Sequence, residues 1–106
     1  MAGTNWKNIL PQEVQRRLER GEKLNLLDVR ELDEWESGHI PGAKHIPLGF
    51  LWERYKELDP AEETIVICRS GNRSALACEF LASMGYKVAN MQGGMIEWRG
   101  RIEYGK

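Results

Sequence analysis

Residues 63–81 read ETIVICRSGNRSALACEFL, and the fold turns on how this stretch divides. Ile65, Val66 and Ile67 form a β-branched run that leads straight into Cys68, the signature of a buried strand. From Ser74 onward the spacing is helical, with Leu76, Ala77, Phe80, Leu81 and Met84 expected on one side. Between the two lies RSGNR, residues 69–73, a short loop with one glycine and two arginines. The stretch is therefore a strand–loop–helix unit that sets a thiol at the end of a strand and in front of a helix N-terminus.

The neighbouring segments repeat this alternation. PQEVQRRLERG (11–21) is a helix: Pro11 suits the first helical position, Val14 and Leu18 share a face, and Gly21 stops it, although Leu10 brings no capping oxygen. KLNLLDV (23–29) is too short and too apolar for a surface helix and is expected to be a buried strand. RELDEWESG (30–38) is a short helix ended by Gly38, HIPGAKHIP (39–47) a loop, and LGFLWERYKEL (48–58) a helix closed by the turn DPAEE (59–63). Gly85 ends the helix after the cysteine, YKVANM (86–91) is a last strand leading to Gly93 and Gly94, and MIEWRG (95–100) is a short final helix. Strands alternating with helices, joined by connections too long for hairpins, predict an α/β fold with a mainly parallel central sheet and helices on both faces. In such sheets ligands bind beyond the carboxyl ends of the strands, which is where Cys68 falls.

A chain of 106 residues has room for one domain, expected over residues 1–106, and buries about 65% of its unfolded surface without staples. A net charge of −1 argues against nucleic acid and anionic membranes as partners, which makes the local pair Arg69 and Arg73 conspicuous. Two cysteines, Cys68 and Cys78, are too few for a disulfide framework, and without a CxxC pair or a Cys/His cluster neither a metal nor a cofactor is expected. His39 and His45, six residues apart around the proline loop, fit local packing and hydrogen bonding better than metal binding. A reducing, cytoplasmic setting follows from this cysteine usage, and no run of apolar residues has signal-peptide or membrane-span length.

The loop has a definite chemistry. A helix N-terminus presents unpaired backbone N–H groups and partial positive charge, and a cysteine facing it has its thiolate stabilised. Gly71 lets the loop curl so that successive N–H groups converge on one point, an anion nest, while Arg69 and Arg73 add charge. Ser70, Asn72 and Ser74 belong to the same expected cradle, with Ser74 also a candidate helix cap. No histidine lies in the segment, so the nucleophile is activated by electrostatics rather than by a Cys–His pair. The competing reading is an inert strand cysteine; the glycine, the arginines and the helix start weigh against it.

VICRSGNRSA resembles the active-site segment of the rhodanese-like sulfurtransferases, and LLDVRE, DEWESGHIPGAKHIP and GYKVANMQGGMIEW resemble that family's other recurring segments in the right order. The likeness spans about residues 24–98. It implies that Cys68 takes a sulfane sulfur from a small-molecule donor such as thiosulfate and passes it, as a persulfide, to cyanide or to a thiol acceptor, either a small thiol or a thioredoxin-like protein. It also implies an organising role for Asp28. Four residues separate Cys68 from Arg73, whereas cysteine phosphatases use a loop one residue longer, so a phosphatase or arsenate reductase is the less favoured enzyme and a protein-binding module the third alternative.

The remaining residues divide between support and packing. Arg69 and Arg73 suit a donor's sulfonate oxygens, although either could instead hold the loop by pairing with a carboxylate. Asp28 and Arg30 end the first buried strand near the cysteine, and Arg30 is expected to pair with Asp28, Glu31 or Glu34. Gly93 and Gly94 fall where the backbone passes close to the cysteine loop, Trp35 and Trp98 read as packing residues, Trp52 as partly exposed, and Cys78 as a close-packing residue rather than a resolving thiol.

Overall fold

β-Branched and apolar runs pair here as the strand readings require. A computed structural model describes residues 5–105 and contains strands β1 (Lys7–Ile9), β2 (Asn25–Asp28), β3 (Lys44–His45), β4 (Thr64–Ile67) and β5 (Val88–Met91). They form one sheet in the order β1-β5-β4-β2-β3, with every pairing parallel. Helices α1 (Pro11–Glu19), α2 (Leu32–Glu36), α3 (Leu48–Arg54) and α4 (Asn72–Ser83) connect them, with 3₁₀ turns at Tyr55–Glu57 and Gly94–Glu97. β4 is buried at all four positions, as a central parallel strand covered on both faces must be.

The period of two along β4 separates two cores. Ile65 and Ile67 point into a layer with Val14 of α1, Ile40 and Trp98, while Val66 and Cys68 point into a layer with Leu51 of α3 and Ala77, Cys78 and Leu81 of α4. Among the described residues, no helix is long and apolar enough to cross a membrane.

Three expectations change. β1 and β3 lie in segments without a strand pattern: both are edge strands, and β1 buries only Ile9. α4 starts at Asn72 rather than Ser74, with Gly71 as its cap at φ +103°, so Ser74 is in the first turn and does not cap it. The buried face of α4 is accordingly Ser74, Ala77, Cys78, Leu81 and Ala82, whereas Leu76 is 60% and Met84 46% exposed. Small residues on the inner face bring the helix close to the sheet, and Phe80 turns outward into edge contact with Trp52, their rings 4.4 Å apart.

The chain leaves β2 toward β3 on one side and leaves β4 toward β5 on the other. The gap beyond the carboxyl ends of β2 and β4 is thus the point where the winding reverses, the usual place for a binding crevice. Asp28 pairs in register with Ile67, which places the end of β2 beside the residue preceding Cys68. Leu81 is fully buried at the centre of the α4 layer. Leu81→Ala is expected to cost about 3 kcal/mol, read as a lower urea midpoint with an unchanged slope.

Candidate active site

Cys68 follows directly on β4, and its side chain is 1% exposed. The chain then curls through Arg69, Ser70 and Gly71 into α4, and the Gly71 amide donates to Cys68 Sγ at 3.0 Å. The Ser74 hydroxyl lies 3.2 Å from the same sulfur. Burial pushes the thiol up, but hydrogen bonding from the Ser74 hydroxyl and from the amides of Ser74, Gly71 and Ser70 outweighs it and holds Cys68 below its ordinary value. Cys78 shows the effect of burial: on the inner face of α4, its thiol is pushed up to about 12 by desolvation, with Glu79 and Cys68 adding to the rise.

Amides converge on a point only if the carbonyls along the same loop turn away and find donors elsewhere. The Cys68 carbonyl accepts the Met95 amide at 2.9 Å, and the Arg69 carbonyl accepts the Ile96 amide at 3.0 Å. The Gly71 carbonyl accepts the Ala75 amide at 3.2 Å and Asn90 Nδ2 at 3.2 Å. Gly94 makes the approach possible, because a Cβ there would lie 2.4 Å from the Arg69 carbonyl oxygen and 2.6 Å from that of Cys68. The close passage expected at Gly93 and Gly94 is therefore a backbone clamp on the loop.

The two arginines part company. Arg73 donates to both carboxylate oxygens of Glu34, Nη1 to Oε1 at 2.7 Å and Nη2 to Oε2 at 2.8 Å, and so joins α4 to α2. Glu34 Oε1 also accepts the Glu31 amide at 2.9 Å, closing the capping box of α2. Arg73 holds Glu34 down to about 2, against the opposing effect of burial and with help from the Glu31 amide. Engaged in this way, Arg73 is a strut, and the thiol is lowered chiefly by the hydroxyl and amides rather than by the arginine pair. Arg69, Ser70 and Asn72 are exposed at the rim, and Arg69 has no ion-pair partner among the described residues.

Asp28 and Arg30 meet as expected. The Arg30 guanidinium reaches both Asp28 carboxylate oxygens at 2.9–3.1 Å and the Gly38 carbonyl at 2.7 Å, and both residues are buried. The pair is fully hydrogen-bonded and ties the end of β2 to the turn after α2. His39 and His45 both stack on Trp35, with ring centroids 3.5 and 4.8 Å apart. Their ring nitrogens donate to the carbonyls of Trp35 and Arg30 at 2.7 and 2.8 Å. A cavity of about 450 Å³ lined by Leu18, Ile40, Pro41 and Trp98 shares no residue with the loop.

Two residues at the site were not foreseen in these positions. Glu34, considered only as a partner for Arg30, instead clamps Arg73 from 39 residues away. Asn90 is a buried polar residue in an apolar strand, and that mismatch was its one signal in the sequence.

Gly94→Ala is expected to cost about 3 kcal/mol, since φ is +64° there and the obstructing atoms are backbone; urea unfolding reads it directly. Glu34→Gln is expected to cost about 1 kcal/mol at pH 7, the half-exposed pair being partly screened. Glu34 is lowered in the folded chain, so its contribution is complete above pH 4.5 and is lost as pH falls toward about 2. The melting curves of Glu34→Gln and the unaltered chain should therefore converge over that window.

Three comparisons agree with this geometry. The family model for the rhodanese-like domain matches residues 10–101. A sulfurtransferase of Allochromatium vinosum is 35% identical over 88 residues, covering 82% of each chain. YrkF of Bacillus subtilis is 43% identical over 93 residues, 87% of this chain, and the chain spans only 50% of its length. The crystal structure of a rhodanese-like domain protein from Staphylococcus aureus superposes with a TM-score of 0.88 at 30% identity, over 94% of this chain and 99% of that one. With a family model over residues 10–101 and a solved relative superposing over 94% of its length, the chain belongs to the rhodanese-like domain family, whose named relatives include sulfurtransferases.

Proposed function

We propose that the protein transfers a sulfane sulfur through a persulfide on Cys68, with thiosulfate or a donor of the same type as the source and a thiol or cyanide as the acceptor. The observation that carries the reading is the polar cradle around one sulfur: the Gly71 amide donating at 3.0 Å, the Ser74 hydroxyl in contact at 3.2 Å and a helix N-terminus behind them. The Cys68 thiolate attacks the outer sulfur of thiosulfate, the S–S bond of the donor breaks, and sulfite leaves with the bonding electrons. The new persulfide is an anion, and the loop amides supply the fixed donors that replace its water. An acceptor thiolate then attacks the outer sulfur, becomes a persulfide itself and returns Cys68 to its thiolate.

Arg69, exposed and without an ion-pair partner among the described residues, is the group available to the donor's sulfonate oxygens, and Ser70 and Asn72 complete the rim. Arg73 acts by holding the loop through Glu34, and the Asp28–Arg30 pair by fixing the neighbouring strand end. The tight loop, in which Cys68 is buried, favours a single added sulfur over a tetrahedral phosphoryl group. A reducing compartment suits two unpaired thiols.

Incubation with thiosulfate should add one sulfur atom to the intact mass, and a thiol or cyanide should remove it. Cys68→Ser should abolish both the adduct and turnover while leaving the fold intact, and Arg69→Ala should raise KM for thiosulfate about tenfold, the loss of one charge-assisted contact. Turnover that survives Cys68→Ser, or hydrolysis of an aryl phosphate faster than sulfur transfer, would remove the proposal.

A further inference from the structure

Asn90 is 5% exposed and is the one polar side chain of β5, between Ala89 and Met91. Each of its polar atoms is engaged. Nδ2 donates to the Gly71 carbonyl at 3.2 Å and to Asn8 Oδ1 at 3.2 Å, while Oδ1 lies against the Ser74 hydroxyl. The Gly71 carbonyl can only accept, and this fixes the amide: reversed, two oxygens would face each other with no proton between them. Oδ1 can likewise only accept, so Ser74 donates its one hydroxyl proton to Asn90.

The same hydroxyl oxygen lies 3.2 Å from Cys68 Sγ. With its proton turned to Asn90, Ser74 offers the sulfur a lone pair, which suits a thiol S–H and opposes a thiolate. A thiolate needs that proton. One proton thus serves two buried acceptors, and it cannot serve both.

We propose that Asn90 is a positioning residue that holds the Ser74 proton away from the Cys68 sulfur, so that ionisation of Cys68 is coupled to a turn of the Ser74 hydroxyl from Asn90 to sulfur. The thiol proton leaves to solvent, the hydroxyl rotates about its Cβ–Oγ bond, and Asn90 Oδ1 is left unpaired in a buried setting. That penalty sets a limit on how far the cradle lowers the thiol. When Cys68 carries a second sulfur, the negative charge moves outward to the loop amides, and Ser74 can return its proton to Asn90. The proposal rests on Cys68 being the reacting thiol, but its test reads ionisation rather than turnover, so the two can fail separately.

The other titratable or charged groups around the sulfur are Arg73 with its partner Glu34, Arg69 on the rim, Cys78 on the inner face of α4 and the Asp28–Arg30 pair at the end of β2. All are kept in the variants compared, so their effects cancel. The measurement is the pH midpoint of iodoacetamide alkylation at Cys68, read peptide by peptide, with circular dichroism as a check on folding. Ser74→Ala should raise the midpoint by about one pH unit, the loss of one hydrogen bond to the thiolate. Asn90→Ala also removes a donor from the Gly71 carbonyl, so it is read against the Ser74→Ala background: with the Ser74 hydroxyl present the midpoint should fall relative to the shift seen without it, because the hydroxyl proton is released to sulfur. A midpoint that Asn90→Ala shifts equally with and without the Ser74 hydroxyl, or lowers less with it than without it, would overturn the proposal. If Asn90→Ala does not fold, Asn90→Asp supplies the test. Its ionised acceptor should raise the midpoint more in the Ser74 chain than in the Ser74→Ala background, and equal rises would overturn the proposal.

Discussion

The site depends on where three carbonyls point. The loop amides converge on the Cys68 sulfur while the carbonyls of Cys68, Arg69 and Gly71 are anchored elsewhere, and a buried carbonyl without a donor is costly. Met95 and Ile96 supply backbone donors to the first two, and Asn90 joins Ala75 on the third. The segment after β5 is thus the outer half of the anion cradle, even though none of its own amides reaches the sulfur. Gly94 is required for the same reason, since its missing Cβ is the space in which the two backbones meet.

Charge plays a smaller part than the arginine content suggests. Arg73 spends both arms of its guanidinium on Glu34, and Glu34 in turn caps α2, so two helices are locked by one carboxylate. The local field at the sulfur then comes mainly from dipoles, and the backbone amides among them keep their direction as the thiol ionises. Such an arrangement is less sensitive to salt than one built on exposed arginines, because a buried dipole is poorly screened. Of the two loop arginines, Arg69 is the one without an ion-pair partner among the described residues.

Much of the fold was legible in the sequence because the central strands and the cysteine loop carry local signals. Ile65–Ile67, the shift to helical spacing and the glycine at position 71 are each readable within a few residues. β1 and β3 were not, since short edge strands with exposed side chains have neither an apolar run nor an alternation to detect. The inner face of α4 was misjudged because Ser74 and Cys78, small and partly polar, occupy places where a large apolar residue is the usual cue. Glu34 and Asn90 act across 39 and 16 residues, and a single sequence holds no record of such pairings.

The backbone clamp also bears on when the thiol becomes reactive. The donors that face the sulfur come from residues 70–74, but the groups that hold those donors in place come from residues 90–96, later in the chain. A chain that has emerged only as far as α4 can form the helix without the turned-out carbonyls. Its cysteine then behaves as an ordinary thiol, slow to meet oxidants and electrophiles. Reactivity arrives with the last strand and the turn that follows it, as a property of the completed sheet.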